Sequence, residues 1–180
     1  RVKLGTISSY YSKSWANGDT FKADGFIGRS LFDLYSDFTF FLNDPIHGDA
    51  FQQHDSRLQE GSDVQYAHPH SLGFALASFT AGANFHDNQI NVGLYPREGR
   101  VPTGVTTRAH AHVTNEAGYA QENFSLWNGR VLVGAGLRYD EFRYGIKDEV
   151  DPGQSGVQWA GRWQGKSNIA FTPSHKVPFT

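Results

Sequence analysis

Eight histidines are spread over the 180 residues, and two pairs, His68 with His70 and His110 with His112, stand two apart. On an extended chain that spacing puts both rings on one face, where they could chelate zinc or copper if Glu116 or Asp140 closed the set. Pro69 places the first pair at a turn, and such short spacings arise without any ligand role, so no metal site is assigned. A second concentration, Asp44, His47, Asp49, His54 and Asp55, could coordinate a cation or exchange protons. A polar loop accounts for it equally well. Asp140 and Glu141 are adjacent, so a strand would point them to opposite faces and they cannot share a glycosidic bond. There is no Gly-x-Ser-x-Gly elbow and no glycine-rich segment that follows a strand and opens a helix. Neither a catalytic residue nor a cofactor is therefore assigned. Arg108, Arg138, Arg143 and Lys166 would set positive charge along one wall, suited to steering an anion, although Asp33, Asp37, Glu116 and Asp140 balance it from the same side.

Composition narrows the setting of these groups. Lys and Arg number 16 against 18 Asp and Glu, a net charge of −2, which excludes nucleic-acid binding through bulk electrostatics. Cysteine is absent, which excludes disulfides, thiolate metal sites and a thiol nucleophile. Twenty glycines and 14% aromatic residues accompany only 38% hydrophobic residues, a β-type composition. Its mean hydropathy is −0.50. No apolar run approaches the roughly 20 residues of a spanning helix, so any membrane role falls to strands. A chain that opens at Arg1 with no apolar leader reads as a processed or excised piece.

The elements that carry these residues alternate in polarity. From Gly129 to Tyr144, Val131, Val133, Ala135, Leu137 and Tyr139 interleave with Leu132, Gly134, Gly136, Arg138 and Asp140. Asn128-Gly129 before this run is a hairpin signal, because both positions accept positive φ. Alternation also marks strands over Trp163 to Phe171, Phe74 to Phe85 and Leu31 to Leu42. Ala109, Ala111, Val113 and Ala117 alternate with Arg108, His110, His112, Thr114 and Glu116, and the pattern slips near Tyr119 to Asn123, which suggests a bulge. The second face of nearly every strand is charged or amide-bearing. It either meets solvent outside a dry sandwich core or lines a wet lumen while the apolar face meets lipid. The apolar face mixes Ala, Val, Phe and Leu with aromatics near strand ends, as a lipid band with girdles does. Connections alternate too: 43–56, 86–106 and 145–162 are long, whereas 69–73, 127–129 and 173–176 are short. Outer-membrane barrels sort their loops in this way.

The run Ser36-Asp37-Phe38-Thr39-Phe40-Phe41-Leu42-Asn43-Asp44-Pro45, followed by Gly48-Asp49, Phe51-Gln52 and Asp55-Ser56-Arg57, resembles the barrel of TonB-dependent outer-membrane receptors. Ala117 to Glu122, the Asn-Gly turn, Gly134-Ala135-Gly136-Leu137-Arg138-Tyr139-Asp140 and Gly165 to Pro173 are similar to adjacent strands of the same family. The resemblance runs over most of residues 31–173. Residues 1–30 fit less well: Gly5 to Lys13 should rise to the outer rim, and a return strand before Leu31 is either hidden in 14–30 or missing.

The resemblance implies an all-β, antiparallel, up-and-down transmembrane barrel segment, roughly eight strands of a larger, plugged barrel. The whole of 1–180 is then one partial barrel domain, with no plug and no signal peptide in evidence. It implies an importer in the cell outer membrane, in contact with outer-membrane lipid, driven by TonB through a plug, and taking up a siderophore-, cobalamin- or glycan-like complex. Arg108, His110, His112, Arg138, Tyr95 and Trp159 are the candidate ligand contacts. Two other readings stand beside it: a soluble β-sandwich or small barrel binding carbohydrate or metal, and a small closed barrel with a structural or adhesive role.

Overall fold

The computed structural model describes residues 1–37 and 39–172. Seven long strands form: β1 (Val2–Ser14), β2 (Thr20–Ser36), β3 (Phe51–Ser71), β4 (Ala75–Glu98), β6 (Thr107–Leu126), β7 (Val131–Asp148) and β8 (Gly156–Phe171). A two-residue strand, β5 (Val101–Pro102), is clipped to the end of β4. The long strands pair antiparallel in the order β1-β2-β3-β4-β6-β7-β8, an up-and-down meander in which each pairs with the next long strand in sequence. Among the described residues β1 and β8 do not pair with each other, so the sheet keeps two open edges.

Constant register along every pair fixes which side chains share a face. Tyr11, Ala23, Val64, Ala83, Gly118, Tyr139 and Trp163 form one row across the sheet. Below it on the same face lie Phe79, Ala81, Ala120, Phe124, Val133, Ala135, Leu137, Ile169 and Phe171. The opposite face carries the row Ser12, Lys22, Gln65, Gly82, Tyr119, Arg138 and Gln164, with Asp24, Asp63, Asn84, Asp140 and Arg162 in the next. The apolar face has nothing packed on it. Substantial contact is confined to sheet neighbours, and among the described residues no large side chain is fully buried. A sandwich would hide those rows under a second sheet; here they stay open.

Tight turns gather at one rim. Residues 15–19 close β1 to β2 through Trp15 N–H to Asp19 C=O and Gly18 N–H to Trp15 C=O, with Gly18 at φ 91°. Gly73 at φ 83° closes β3 to β4. In the β6–β7 turn Asn128 and Gly129 take positive φ as the sequence requires, and Trp127 does too, giving a four-residue loop. Pro69 is tolerated in β3 because it lies past the start of β2, on a stretch paired only with β4.

Several boundaries differ from the sequence expectation. The strand expected at Leu31 to Leu42 is the upper part of β2, which begins at Thr20 and ends at Ser36, so 14–30 holds no separate return strand and none is needed, since β1 pairs directly with β2. Gly5 to Lys13 runs toward the tight-turn rim, not away from it. β3 occupies the stretch left between the connections expected at 43–56 and 69–73, although its mixed Gln, Asp, Ser and His content hides the alternation. The connection expected at 43–56 shifts to 37–50 with its length unchanged, because β2 ends at Ser36 and β3 begins at Phe51, whereas 86–106 and 145–162 shorten to 99–106 and 149–155 because β4, β7 and β8 continue past their apolar stretches. No bulge occurs in β6, whose register to both neighbours is unbroken. Phe38 and the turn expected at 173–176 lie outside the described residues.

Strand length explains the apparent slip in β6. A tilted strand crosses a bilayer in about 9–11 residues, the length of Ala75 to Phe85, yet β4 has 24 residues and β6 has 20. On the face that is apolar at Phe79 and Phe124, the chain beyond Phe85 presents Asp87, Gln89, Asn91, Glu116, His112 and His110. The other face becomes apolar there, with Ile90, Val92, Ala109, Ala111, Val113 and Ile146. The polarity inverts along one regular strand.

Candidate functional site

Register divides the six candidate ligand contacts. Arg138 lies on the polar face of β7, with Nε and Nη2 each 2.8 Å from the two carboxylate oxygens of Asp140. Its Nη1 donates to Asn84 Oδ1 at 2.5 Å, reaching past β6, and its guanidinium carbon is 6.0 Å from the Tyr119 ring centre. Asp140, 4% exposed, also accepts from Gln164 at 2.7 Å. This is a bidentate charge-assisted pair braced from three strands.

Arg108, His110 and His112 stand on the other face of β6, in line with Ala120 and Phe124, so the lumen placement expected from alternation with Ala109 and Ala111 is corrected. The inversion above the apolar belt is the reason. Arg108 Nε pairs with Glu149 at 2.7 Å and His110 Nε2 with the other oxygen of that carboxylate at 2.8 Å. His110 Nδ1 also meets Asn91. The His110 contact, followed by the Arg108 charge, holds the Glu149 carboxyl below its usual range. His112 Nε2 lies 2.6 Å from Asp87, which also accepts from Thr114. The two rings thus turn to different carboxylates and do not converge. His68 lies beside Asp19 and His70 beside Glu122. Among the described residues no group of three His, Asp or Glu side chains is arranged to hold a metal ion.

Tyr95 and Trp159 also lie on the outward face. The Tyr95 ring folds over Gly93, in the space a Cβ would fill. Trp159 is 60% exposed, with the Arg143 guanidinium 5.7 Å from its ring centre.

The best-formed concavity at the loop rim involves a residue the sequence reading did not single out. Loop 37–50 folds against the ends of β3 and β4 and the β5 segment, tied by Asp49 N–H to Phe40 C=O, Arg97 N–H to Ala50 C=O and Thr103 N–H to Pro96 C=O. The loop is built on its own acids. Asp49 accepts from the Asn43 and Asp44 amides, both at 2.9 Å, and from Thr39 Oγ1 at 2.8 Å. Asp44 accepts from the His47 amide at 2.9 Å and the Ile46 amide at 3.0 Å. These donors hold both carboxyls below the usual range, the amide of His47 foremost for Asp44 and that of Asn43 for Asp49. The cavity, open to solvent on one side, is about 650 Å³ and is lined by Thr39, Asn43, Asp44, His47, Arg97 and Thr103 among others. Arg97 escapes a linear reading because Tyr35 and Gln52, which contact it, come from other strands. A second, shallower hollow of about 430 Å³ lies on the polar face around Tyr119, Gln121, Gly136, Arg138, Gln164 and Lys166.

The model of the family described as TonB dependent receptor-like, beta-barrel, matches residues 3–178. No curated protein matches the chain. Among solved structures the chain is similar to the ferric citrate transporter FecA in its unliganded form, with TM-score 0.74 and 12% identity. That match covers 97% of this chain and 25% of the FecA chain. At that identity the likeness speaks for the fold alone.

Proposed function

Because the chain belongs to the TonB-dependent receptor-like β-barrel family, we propose that it forms part of the wall of an outer-membrane receptor that imports a scarce nutrient complex, driven by TonB acting through a plug domain. One observation carries the membrane placement: rows of Val, Ala, Leu, Phe and Trp side chains lie on one face with no second layer over them. Trp163 is 65% and Ile169 75% exposed. In water such a face would be a large association surface. In lipid it is the ordinary outside of a barrel, opposite a polar lumen. The sandwich alternative loses its core.

In this reading the tight-turn rim is periplasmic, and the rim of 37–50, 99–106 and 149–155 faces outward. Ligand contact is assigned to that outer rim, with Arg108, His110, His112, Tyr95 and Trp159 on its outward rows and Arg138 deeper on the lumen wall. Brominated acyl chains test the placement. Trp163 fluorescence is expected to be quenched in vesicles of brominated lipid, while a tryptophan introduced by Gln164→Trp is spared. Equal quenching at both positions would overturn it. Loss of ligand uptake in cells lacking TonB tests the import step.

A further inference from the structure

Arg97 near the end of β4 is 8% exposed, and it is joined to the Asp33 carboxylate indirectly, through Gln52, whose Nε2 donates to Asp33 Oδ1 at 2.8 Å. Its Nη1 donates to Gln52 Oε1, and its guanidinium carbon stands 4.9 Å from the centre of the Tyr35 ring. Its Nε is buried with no acceptor, and among the described residues no carboxylate forms an ion pair with it. A dehydrated guanidinium lacking acceptors is costly, and residues of this kind are kept where something else completes them.

The cavity that Arg97 lines offers the rest of a site. Asp44 and Asp49 are turned to their own loop amides and hydroxyls, so the guanidinium remains the unanswered charge. Thr39, Asn43, His47, Thr103 and Thr106 add groups able to bond hydroxyls. The volume, about 650 Å³, falls in the usual range for small-ligand pockets. With Asp44 and Asp49 engaged by their loop donors, the one guanidinium can answer a single added negative charge, so a monoanion fits the cavity better than a dianionic phosphate.

We propose that this cavity is a subsite for a hydroxylated monocarboxylate of the uronic-acid type, whose carboxylate accepts from the Arg97 guanidinium. The proposal rests on the import reading and names the chemistry of one group on the imported ligand. Tyr35 and Gln52 act as positioning residues for the planar guanidinium, the first through its ring face and the second by occupying Nη1.

Calorimetric titration of the detergent-solubilised receptor with galacturonate, galactose and inorganic phosphate tests it. Galacturonate is expected to saturate, whereas galactose and phosphate bind at least tenfold more weakly. Arg97→Met should weaken galacturonate at least tenfold, and Arg97→Lys, which keeps the charge but not the fork, by less. Asp37, whose Oδ1 is buried without a partner, lies two residues from Tyr35, as does Asp33, which is held by Gln52 and His54. Asp37→Asn should leave binding unchanged. Equal binding of galactose and galacturonate, wild-type binding by Arg97→Met, no binding of galacturonate, or an Asp37→Asn loss as large as that of Arg97→Met would each overturn the subsite. Should Arg97→Met fail to fold, the Arg97→Lys titration and the ¹⁵N resonance of Arg97 Nε, expected to shift only with the acid sugar, decide. Saturable galacturonate binding without TonB-dependent uptake would leave the subsite standing and remove the import reading.

Discussion

Single residues divide into those that brace the wall and those that shape the rim. Asp140 is a brace: it takes both forks of Arg138 and the amide of Gln164. Asp140→Ala leaves the guanidinium with Asn84 alone and is expected to destabilise the receptor by about 2 kcal/mol, read as a shifted urea midpoint in detergent. Asp49 shapes the rim. Its folded-state pKa is depressed, first by the Asn43 amide, so its contribution to loop order is complete above the unfolded carboxylate value of about 3.9 and is lost as pH falls through the lower folded value. Amide exchange at Asn43 and Asp44 should therefore accelerate only in acid, and Asp49→Ala should accelerate it at every pH. The polar-face position of Arg138 was legible because Leu137 and Tyr139 flank it within the apolar belt. That of His110 was not, because Ala109 and Ala111 give the same alternation above the belt with the faces exchanged. Arg97 had no local signal at all.

Along an element, the alternation reports its face only within the bilayer. β7 shows this on one row of odd positions: Val131 to Tyr139 are apolar or aromatic, then Glu141 and Arg143 follow on the same face. A depth series on that row is a direct check. Ala135→Lys should cost about 2–4 kcal/mol near the midplane, and Glu141→Lys should change stability by less than about 0.5 kcal/mol. Equal costs at the two positions, measured by folding into vesicles, would mean that the belt has been placed wrongly. Strand existence was readable for β4, β7 and β8 from Ala77, Val133 and Ile169 and their neighbours. Strand ends were not, since polar stretches such as Asp87 to Asn91 look like loop in the sequence, and only the folded sheet shows them held in register by backbone pairing and by cross-strand bonds from His110, His112 and Thr114.

At the scale of the whole molecule, one curtain of seven long strands has no core and two unpaired edges, β1 and β8, on which every residue is exposed. Open edges recruit other strands, and in lipid they leave backbone groups unsatisfied. Refolded alone in detergent, the 180-residue chain is expected to sediment as associated species; a monodisperse monomer with slow amide exchange along the outer side of β8 would contradict that. The all-β meander itself was evident from patterning and from the sorting of loop lengths, and roughly eight strands of a larger barrel imply open edges; that β1 and β8 are the strands left unpaired needed the register. The reach of β3 and β4, 21 and 24 residues, has a last consequence. In the proposed placement about half of each strand stands above the headgroups, so a stiff palisade would meet an antibody or phage tail before the bilayer does. A bulky maleimide probe should therefore label a cysteine at Glu98 on intact cells while a cysteine at Ala135 stays silent.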